Sequence, residues 1–209
     1  NLMLVTGQAP RPGEAVWSTP VFDVDAVGLT NVVFRLNHGL DVGDNPIGEP
    51  TRFLSGALAV VGLPEPKEEI DRFGWKVDAG AELAITTPVF DPAELDRYLD
   101  AIAPFRVPLV VTLWPPRSLR EAEYLAGEVP GVRLPPALLD RIARAGSPEA
   151  EEAEGLAVAR ELIEQVGPRV EGVLLAGRLG RDPRGLAILG DLPGRIIEPP
   201  RHYPGRPGI

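Results

Sequence analysis

The chain has 209 residues, no cysteine and a formal net charge of −9 at pH 7. Its basic residues are scattered rather than gathered in a stripe, which argues against binding to nucleic acid or to an anionic membrane surface. The lack of cysteine excludes disulfides, thiol nucleophiles and thiolate metal ligands. No apolar run approaches the roughly 20 residues that span a bilayer, and no signal peptide opens the chain. We therefore expect a soluble, cytoplasmic protein.

Short apolar runs alternate with segments of helical periodicity along the chain. The apolar runs predict buried parallel strands at 2–6, 54–61, 82–86, 108–113 and 172–176. The helical spacing predicts helices at 23–36, 67–79, 91–102, 118–127, 135–145 and 149–166. Asp91 followed by Pro92 is typical of a helix start, with Asp as the N-cap. This alternation predicts an α/β fold with a parallel sheet.

Two α/β architectures are compatible with these elements. A doubly wound sheet tolerates five strands, whereas a closed barrel needs eight strands and usually about 250 residues. The first predicted strand begins at residue 2, without an initiator Met. A barrel that lacks its first three strands is therefore the second possibility.

Motif searches exclude several kinds of site. The Gly-rich segment 177–185 has neither the P-loop spacing nor the dinucleotide-binding spacing, so we interpret it as a loop before a helix. His38 and His202 are far apart and form no metal-binding pattern, so no metal site is predicted. From spacing alone, Arg72 and Lys76 are predicted to be solvated residues on a helix surface. Trp114 is interpreted as a packing residue.

Four segments in order carry a resemblance to a known family. They are NLMLVTGQAPRPGE (1–14), KVDAGAELAITTPVFD (76–91), LWPPRSLREAEYLAGEVPGVRLPPALLDRI (113–142) and LAVARELIEQV (156–166). Together they resemble the methylenetetrahydrofolate reductase family. The segments VFDVDAVGLTNVV (21–33) and DNPIG (44–48) look most like the version of that family fused to a homocysteine methyltransferase domain.

The resemblance implies a fold and a reaction. The fold is a (β/α)8 TIM-type barrel, of which residues 1–190 resemble strands four to eight, followed by an irregular Pro/Gly-rich tail at 191–209. The implied reaction is the FAD-dependent reduction of 5,10-methylenetetrahydrofolate to 5-methyltetrahydrofolate with NAD(P)H, as part of one-carbon metabolism and methionine biosynthesis. The first three family strands, and the proton-donating Glu that they carry, have no counterpart in the sequence.

The resemblance also assigns site residues. Gln8 stands at a catalytic position where the family has an Asp near the flavin and folate rings. The matched FAD-binding positions are Thr6, Gly7, Phe22, Asp23, Glu69, Arg72, Trp75 and Lys76. The matched folate-binding positions are Thr87, Glu121, Leu125, Leu179 and Arg181. Three of these residues, Thr87, Glu121 and Trp75, differ from the residue that the family usually has.

Two functions from different classes follow. The first is a flavoprotein reductase that binds FAD, NAD(P)H and folate. The second is a non-catalytic barrel remnant that binds folate or a partner protein. Because five strands would leave two exposed sheet edges, the second function requires self-association or a partner subunit that completes the barrel.

Overall fold

Parallel strands and helices alternate in the computed structural model, which describes residues 1–7, 17, 19, 21–63, 66–129, 131–177, 183 and 187. The strands are β1 Leu2–Leu4, β2 Ser55–Ala59, β3 Leu83–Pro88, β4 Leu109–Leu113 and β5 Gly172–Leu175. The α-helices are α1 Ala26–Asn37, α2 Lys67–Asp78, α3 Pro92–Ala101, α4 Leu119–Glu128, α5 Pro136–Ala143 and α6 Pro148–Val166. Each of these elements overlaps a predicted strand or helix, so the predicted α/β fold is confirmed.

Side-chain caps explain where four of the helices begin, among them α1, whose N-cap Asp25 accepts a hydrogen bond from the backbone N–H of Gly28. Asp91 accepts a hydrogen bond from the backbone N–H of Ala93, as the Asp-Pro pair predicted. Ser118 and Ser147 cap α4 and α6 in the same way. Two short 3₁₀ turns, Ala103–Phe105 and Gly167–Arg169, were not predicted. Each contains a proline in its first turn, directly after an α-helix.

The strands are arranged in the order in which they occur in the chain. The sheet order is β1-β2-β3-β4-β5, and every neighbouring pair is parallel. A doubly wound sheet reverses its strand order at a switch point, whereas the strands of a (β/α)8 barrel follow one another around the sheet. The fold is therefore of the partial barrel type, and the sheet formed by the described residues is not closed.

The described helices pack against one face of this sheet. Paired residues in the register share a face, and three neighbours in one such row, Ala57, Ala84 and Leu109, are at most 1% exposed. A single hydrophobic core joins this face to helix residues such as Phe73, Leu95 and Ile142. Burial of these apolar side chains provides the main driving force for folding.

The opposite face is apolar and partly exposed. The register places apolar side chains from every strand on it, among them Met3, Leu58, Ile85, Val110 and Leu174. We call these residues the open face. Met3 is 39% exposed and Leu174 is 44% exposed, whereas the other three are of intermediate burial. Parallel sheets are normally covered on both faces, so this surface is unusual.

Within the described ranges, no helix is both long enough and apolar enough to cross a bilayer.

Candidate functional site

A cavity lies at the carboxyl end of the first two strands. Its volume is about 360 Å³. Its lining residues come from β1, β2, α1, α2 and the loops that follow the two strands: Leu4, Val5, Thr6, Ala26, Leu58, Val60, Leu63, Glu68, Glu69, Arg72 and Lys76. The cavity therefore brings together four of the predicted FAD-binding residues, although they lie in two separate segments of the sequence.

Lys76 is the buried cation of this cavity. Only 6% of its surface is exposed, which contradicts the solvated position that spacing alone predicted. Its Nζ donates to the backbone carbonyl of Leu58 at 2.9 Å and to Oε1 of Glu69 at 3.0 Å. An ammonium group has three N–H donors, so one donor remains for an acceptor in the cavity.

Glu69 lies between two cations of the same helix. Glu69 and Lys76 are two turns apart and share one face of α2. Arg72, one turn from Glu69, approaches it to 4.0 Å and is exposed, as predicted. Glu68 adds a second carboxylate, so the charged groups of the cavity are balanced in number.

A buried tyrosine lies close enough to Glu69 to be affected by its charge. Tyr98 packs edge-on against Phe73, with ring centroids 6.0 Å apart. Burial, assisted by the negative charge of Glu69, raises the pKa of Tyr98 well above its ordinary value. The tyrosine therefore stays protonated at neutral pH. Its hydroxyl has no hydrogen-bond partner among the described residues.

Thr6 connects the end of β1 to the start of α1. Its Oγ1 accepts a hydrogen bond of 3.0 Å from the backbone N–H of Ala26. The hydroxyl proton of Thr6 is left available for a ligand, because this bond uses only an acceptor position. The contact also fixes the N-terminus of α1 beside the cavity.

The remaining predicted FAD-binding residues lie outside the cavity lining. Gly7 is adjacent to the ring of Phe22, since a Cβ on Gly7 would lie 3.8 Å from Phe22 Cε1. Phe22 is 51% exposed and Trp75 is 58% exposed. Asp23 is also exposed. The structure therefore divides the predicted FAD positions into a cavity group and an exposed group.

Thr87 lies at the carboxyl end of β3, in the middle of the sheet. Its Oγ1 accepts a hydrogen bond of 3.1 Å from the backbone N–H of Val61. This contact connects the ends of β2 and β3 and leaves the hydroxyl proton of Thr87 free to be donated. Thr87 is thus placed between the cavity and the ends of β4 and β5.

The carboxylate of Glu121 is held by two internal donors. Its Oε1 accepts from the indole Nε1 of Trp114 at 3.2 Å, and its Oε2 accepts from the backbone N–H of Arg117 at 2.8 Å. Ser118, the N-cap of α4, accepts from the backbone N–H of Glu121. The S-x-x-E spacing of Ser118 and Glu121 resembles a capping box, a sequence signal that our sequence reasoning missed.

Leu125, one helical turn beyond Glu121, has no exposed surface. It belongs to the hydrophobic core and supports α4 against the sheet. Its predicted contact with a ligand stays a prediction.

Several predicted residues lie outside the described part of the chain. They are Gln8, Leu179 and Arg181, together with the tail 191–209. Their predicted roles are not tested by the structure. Within the described ranges, no group of three or more His, Cys, Asp or Glu side chains is arranged to hold a metal ion.

The sequence reasoning also missed the apolar wall of the cavity. Leu58, Val60 and Leu63 come from β2 and the loop that follows it. Their signal was present in the sequence, since side chains at the carboxyl ends of strands line the ligand sites of barrel-type folds. Periodicity identified the strand but did not show which end of it would border a cavity.

Sequential parallel strands, with a cavity at their carboxyl ends, define a protein of the (β/α) barrel class. The model of the family described as methylenetetrahydrofolate reductase matches residues 1–173. The chain belongs to the methylenetetrahydrofolate reductase family. The match does not test the predicted similarity to the version fused to a homocysteine methyltransferase.

Comparison with individual proteins adds little to the family assignment. No curated protein matches the chain. One similar solved structure is an uncharacterized protein from Clostridium thermocellum that binds two copies of 5-methyl-5,6,7,8-tetrahydrofolic acid. The two share 18% identity with a TM-score of 0.45, over 65% of this chain and 52% of the other. The chain thus spans about half the length of that protein.

Proposed function

We propose that the protein takes part in the FAD-dependent reduction of 5,10-methylenetetrahydrofolate to 5-methyltetrahydrofolate with NAD(P)H. The observation that carries this proposal is the cavity, which brings Thr6, Glu69, Arg72 and Lys76 together in a chain of this family. The reaction belongs to one-carbon metabolism and supplies methyl groups for methionine biosynthesis. We propose a cytoplasmic location for it.

The donors of the cavity fit the phosphate part of FAD. Lys76 retains one N–H donor and Thr6 retains its hydroxyl proton, and both border the same space. Arg72 adds an exposed cation at the rim. Phosphate oxygens accept hydrogen bonds from such groups. FAD, when bound, supplies the two-electron transfer between NAD(P)H and the folate.

The folate is assigned to the ends of β3, β4 and β5. Thr87 offers a hydroxyl donor and Glu121 offers an oriented carboxylate at neighbouring strand ends. By resemblance, Gln8, Leu179 and Arg181 contribute further contacts, with Gln8 at the catalytic position. These residues bind and orient the substrate beside the cofactor.

Flavin retention and enzyme activity test the proposal together. The full-length protein is mixed with excess FAD and desalted, and its visible absorption spectrum is recorded. We expect retained flavin bands and NAD(P)H oxidation that depends on methylenetetrahydrofolate. Arg72→Ala should lower FAD retention, whereas Arg52→Ala, an exposed arginine that does not line the cavity, should not. A flavin-loaded protein without reductase activity would refute the proposal.

The open face supports a second candidate function. A non-catalytic family member could bind folate, or a partner protein, through a barrel that another subunit or a second copy completes. The exposed apolar side chains of Met3 and Leu174 support this candidate, because burying them in an interface is favourable. A colourless protein that folds cooperatively but never retains FAD is the result expected for it. A monodisperse monomer that binds no hydrophobic dye would argue against it.

A further inference from the structure

The loop after β4 is held against α6. The carbonyl of Pro116 lies against Gly155 of α6, where a Cβ would come within 1.9 Å of the oxygen. Arg117 Nε donates to Glu152 at 3.2 Å, and the backbone N–H of Leu119 donates to Glu151 at 2.9 Å. Several contacts to α6 thus keep this loop in one position.

Trp114 occupies the start of this loop. The hydrophobic core packs against one part of its side chain. The indole N–H edge faces Gly177, the second residue after β5, which has a φ of +78°. A Cβ on Gly177 would lie only 2.4 Å from Trp114 Nε1, so this position needs glycine for both its backbone angle and its lack of a side chain.

The indole held in this way reaches Glu121. Its Nε1 donates to Glu121 Oε1 at 3.2 Å, while the N–H of Arg117 occupies Oε2 at 2.8 Å. A carboxylate has about four acceptor positions, so two internal donors orient the group and leave acceptor positions free. The Trp114–Glu121 pair lies at the carboxyl ends of β4 and β5, where folds of this class bind ligands.

We propose that Trp114 is a positioning residue that directs the Glu121 carboxylate toward the N–H donors of a pterin ring. The inference rests on the proposed function for the identity of the ligand, and on the geometry of Trp114, Glu121 and Gly177 for the positioning. A carboxylate accepts hydrogen bonds but does not donate them, so it favours a ring edge that carries the 2-amino group and the neighbouring ring N–H. Trp114 therefore affects selectivity through Glu121.

The positioning is tested first without a ligand. Indole N–H signals of the full-length protein are recorded by ¹H–¹⁵N NMR, and Trp114→Phe identifies the signal of Trp114. Glu121→Gln should shift this signal and leave those of Trp17 and Trp75 in place. An unchanged Trp114 signal would overturn the inference. The test remains valid if Trp114→Phe fails to fold, since Trp17→Phe and Trp75→Phe identify the other two signals.

Selectivity is tested by equilibrium binding of 5-methyltetrahydrofolate and of an analogue without the 2-amino group. Loss of a hydrogen bond to a charged group lowers affinity about tenfold, so the wild type should prefer the 2-amino ligand by at least about that factor. In Trp114→Phe and in Glu121→Gln, this preference should fall about three- to tenfold. The double variant should lose little more than either single variant. Trp17→Phe, at a tryptophan that is 91% exposed, is the matched control.

The outcomes separate the two proposals. If Trp114→Phe weakened the binding of both ligands equally, the role of Trp114 would be merely structural. That result would overturn the inference, while the proposed function would stand. No binding of 5-methyltetrahydrofolate to the wild-type protein would overturn the proposed function and the ligand assigned to Glu121, and the NMR result would then decide the positioning alone.

Discussion

Lys76 shows how much a single buried charge depends on its partners. Its ammonium is satisfied by Glu69 and by the Leu58 carbonyl, and Lys76→Met removes both contacts. The side chain of Glu69, only 15% exposed, would then be left without its closest cation. Breaking a buried ion pair leaves the remaining charge buried without that partner. We therefore expect a loss of about 3 kcal/mol in the free energy of unfolding, measured by urea denaturation.

A matched lysine on the same helix provides the control. Lys67 pairs with Asp71 at 2.6 Å, but its side chain is 86% exposed. Lys67→Met should change the free energy of unfolding by less than about 0.5 kcal/mol, because exposed ion pairs contribute little. Equal effects of the two substitutions would contradict the description of Lys76 as a buried, paired cation.

The burial of Lys76 also shows where sequence reasoning reached its limit. Helical spacing placed Lys76 on a solvated face, because periodicity takes account only of residues within one helix. The Leu58 carbonyl that holds it belongs to β2, which is a different element. Resemblance to the family predicted that Lys76 binds FAD, since that comparison includes contacts between elements. Glu121 was likewise matched by resemblance, but its bond with Trp114 was not foreseen.

A pH-dependent contribution to stability is expected from Glu161 on α6. Two hydrogen bonds from Arg141, of 2.7 and 2.9 Å, lower the pKa of Glu161 below its ordinary value of 4.5. A group whose pKa is lower in the folded state stabilises the protein above its unfolded pKa. This stabilisation is lost as the pH falls through the folded pKa.

The substitution Glu161→Gln tests this dependence. At pH 7 the variant should be less stable than the wild type by up to about 1 kcal/mol, since the side chain of Glu161 is half exposed. The difference should shrink as the pH falls below 4.5. Urea denaturation over a series of pH values measures it, with Glu164→Gln on the same helix as the control. A difference that stays constant down to low pH would exclude the Arg141 pair as its cause.

At the scale of elements, the contact between α6 and the loop after β4 requires a glycine. A Cβ at position 155 would come within 1.9 Å of the Pro116 carbonyl oxygen, so Gly155→Ala forces the helix and the loop apart. We expect a loss of about 2 kcal/mol in the free energy of unfolding, as is typical of overpacking. Thermal unfolding followed by circular dichroism measures the effect.

Gly127 in α4 is the corresponding control. A Cβ there meets nothing within 4 Å, and the residue is exposed. Gly127→Ala should stabilise the protein by about 0.5 to 1 kcal/mol, because alanine has the higher helix propensity. If Gly155→Ala also stabilised the protein, the close contact with Pro116 could not be present in solution.

The elements themselves were well predicted from sequence. Apolar runs and helical spacing identified each described strand and α-helix, because a parallel sheet covered by helices gives clear periodicity. The predicted ends of these strands and helices were less accurate. The predicted strand at 2–6 pairs only over Leu2–Leu4, since it has a single neighbour among the described strands, and Thr6 instead bonds to the start of α1.

At the scale of the whole molecule, the open face should govern association. Leu174 is apolar and 44% exposed on this face. We expect the purified chain to associate in a concentration-dependent manner, because burial of the open face removes apolar surface from water. Leu174→Glu should shift the protein toward monomer, as measured by size-exclusion chromatography with light scattering.

Val42 is a suitable control for this experiment. It is apolar and 71% exposed, but it lies in the loop between α1 and β2 rather than on the sheet. Val42→Glu should leave the association unchanged. A wild-type protein that remains monomeric at every concentration would show that the open face does not drive self-association.

The sequential strand order has a consequence for how the chain acquires its structure. Each described strand after β1 pairs with the described strand that precedes it in the chain. Its partner has therefore already been synthesised when the strand itself is made. Every new strand and helix can therefore add to a sheet edge that already exists as the polypeptide leaves the ribosome. To pair, each of β2, β3 and β4 closes a loop that contains one α-helix, whereas β5 closes a loop that contains three α-helices. Addition of β5 is thus the step at which we expect folding to be slowest.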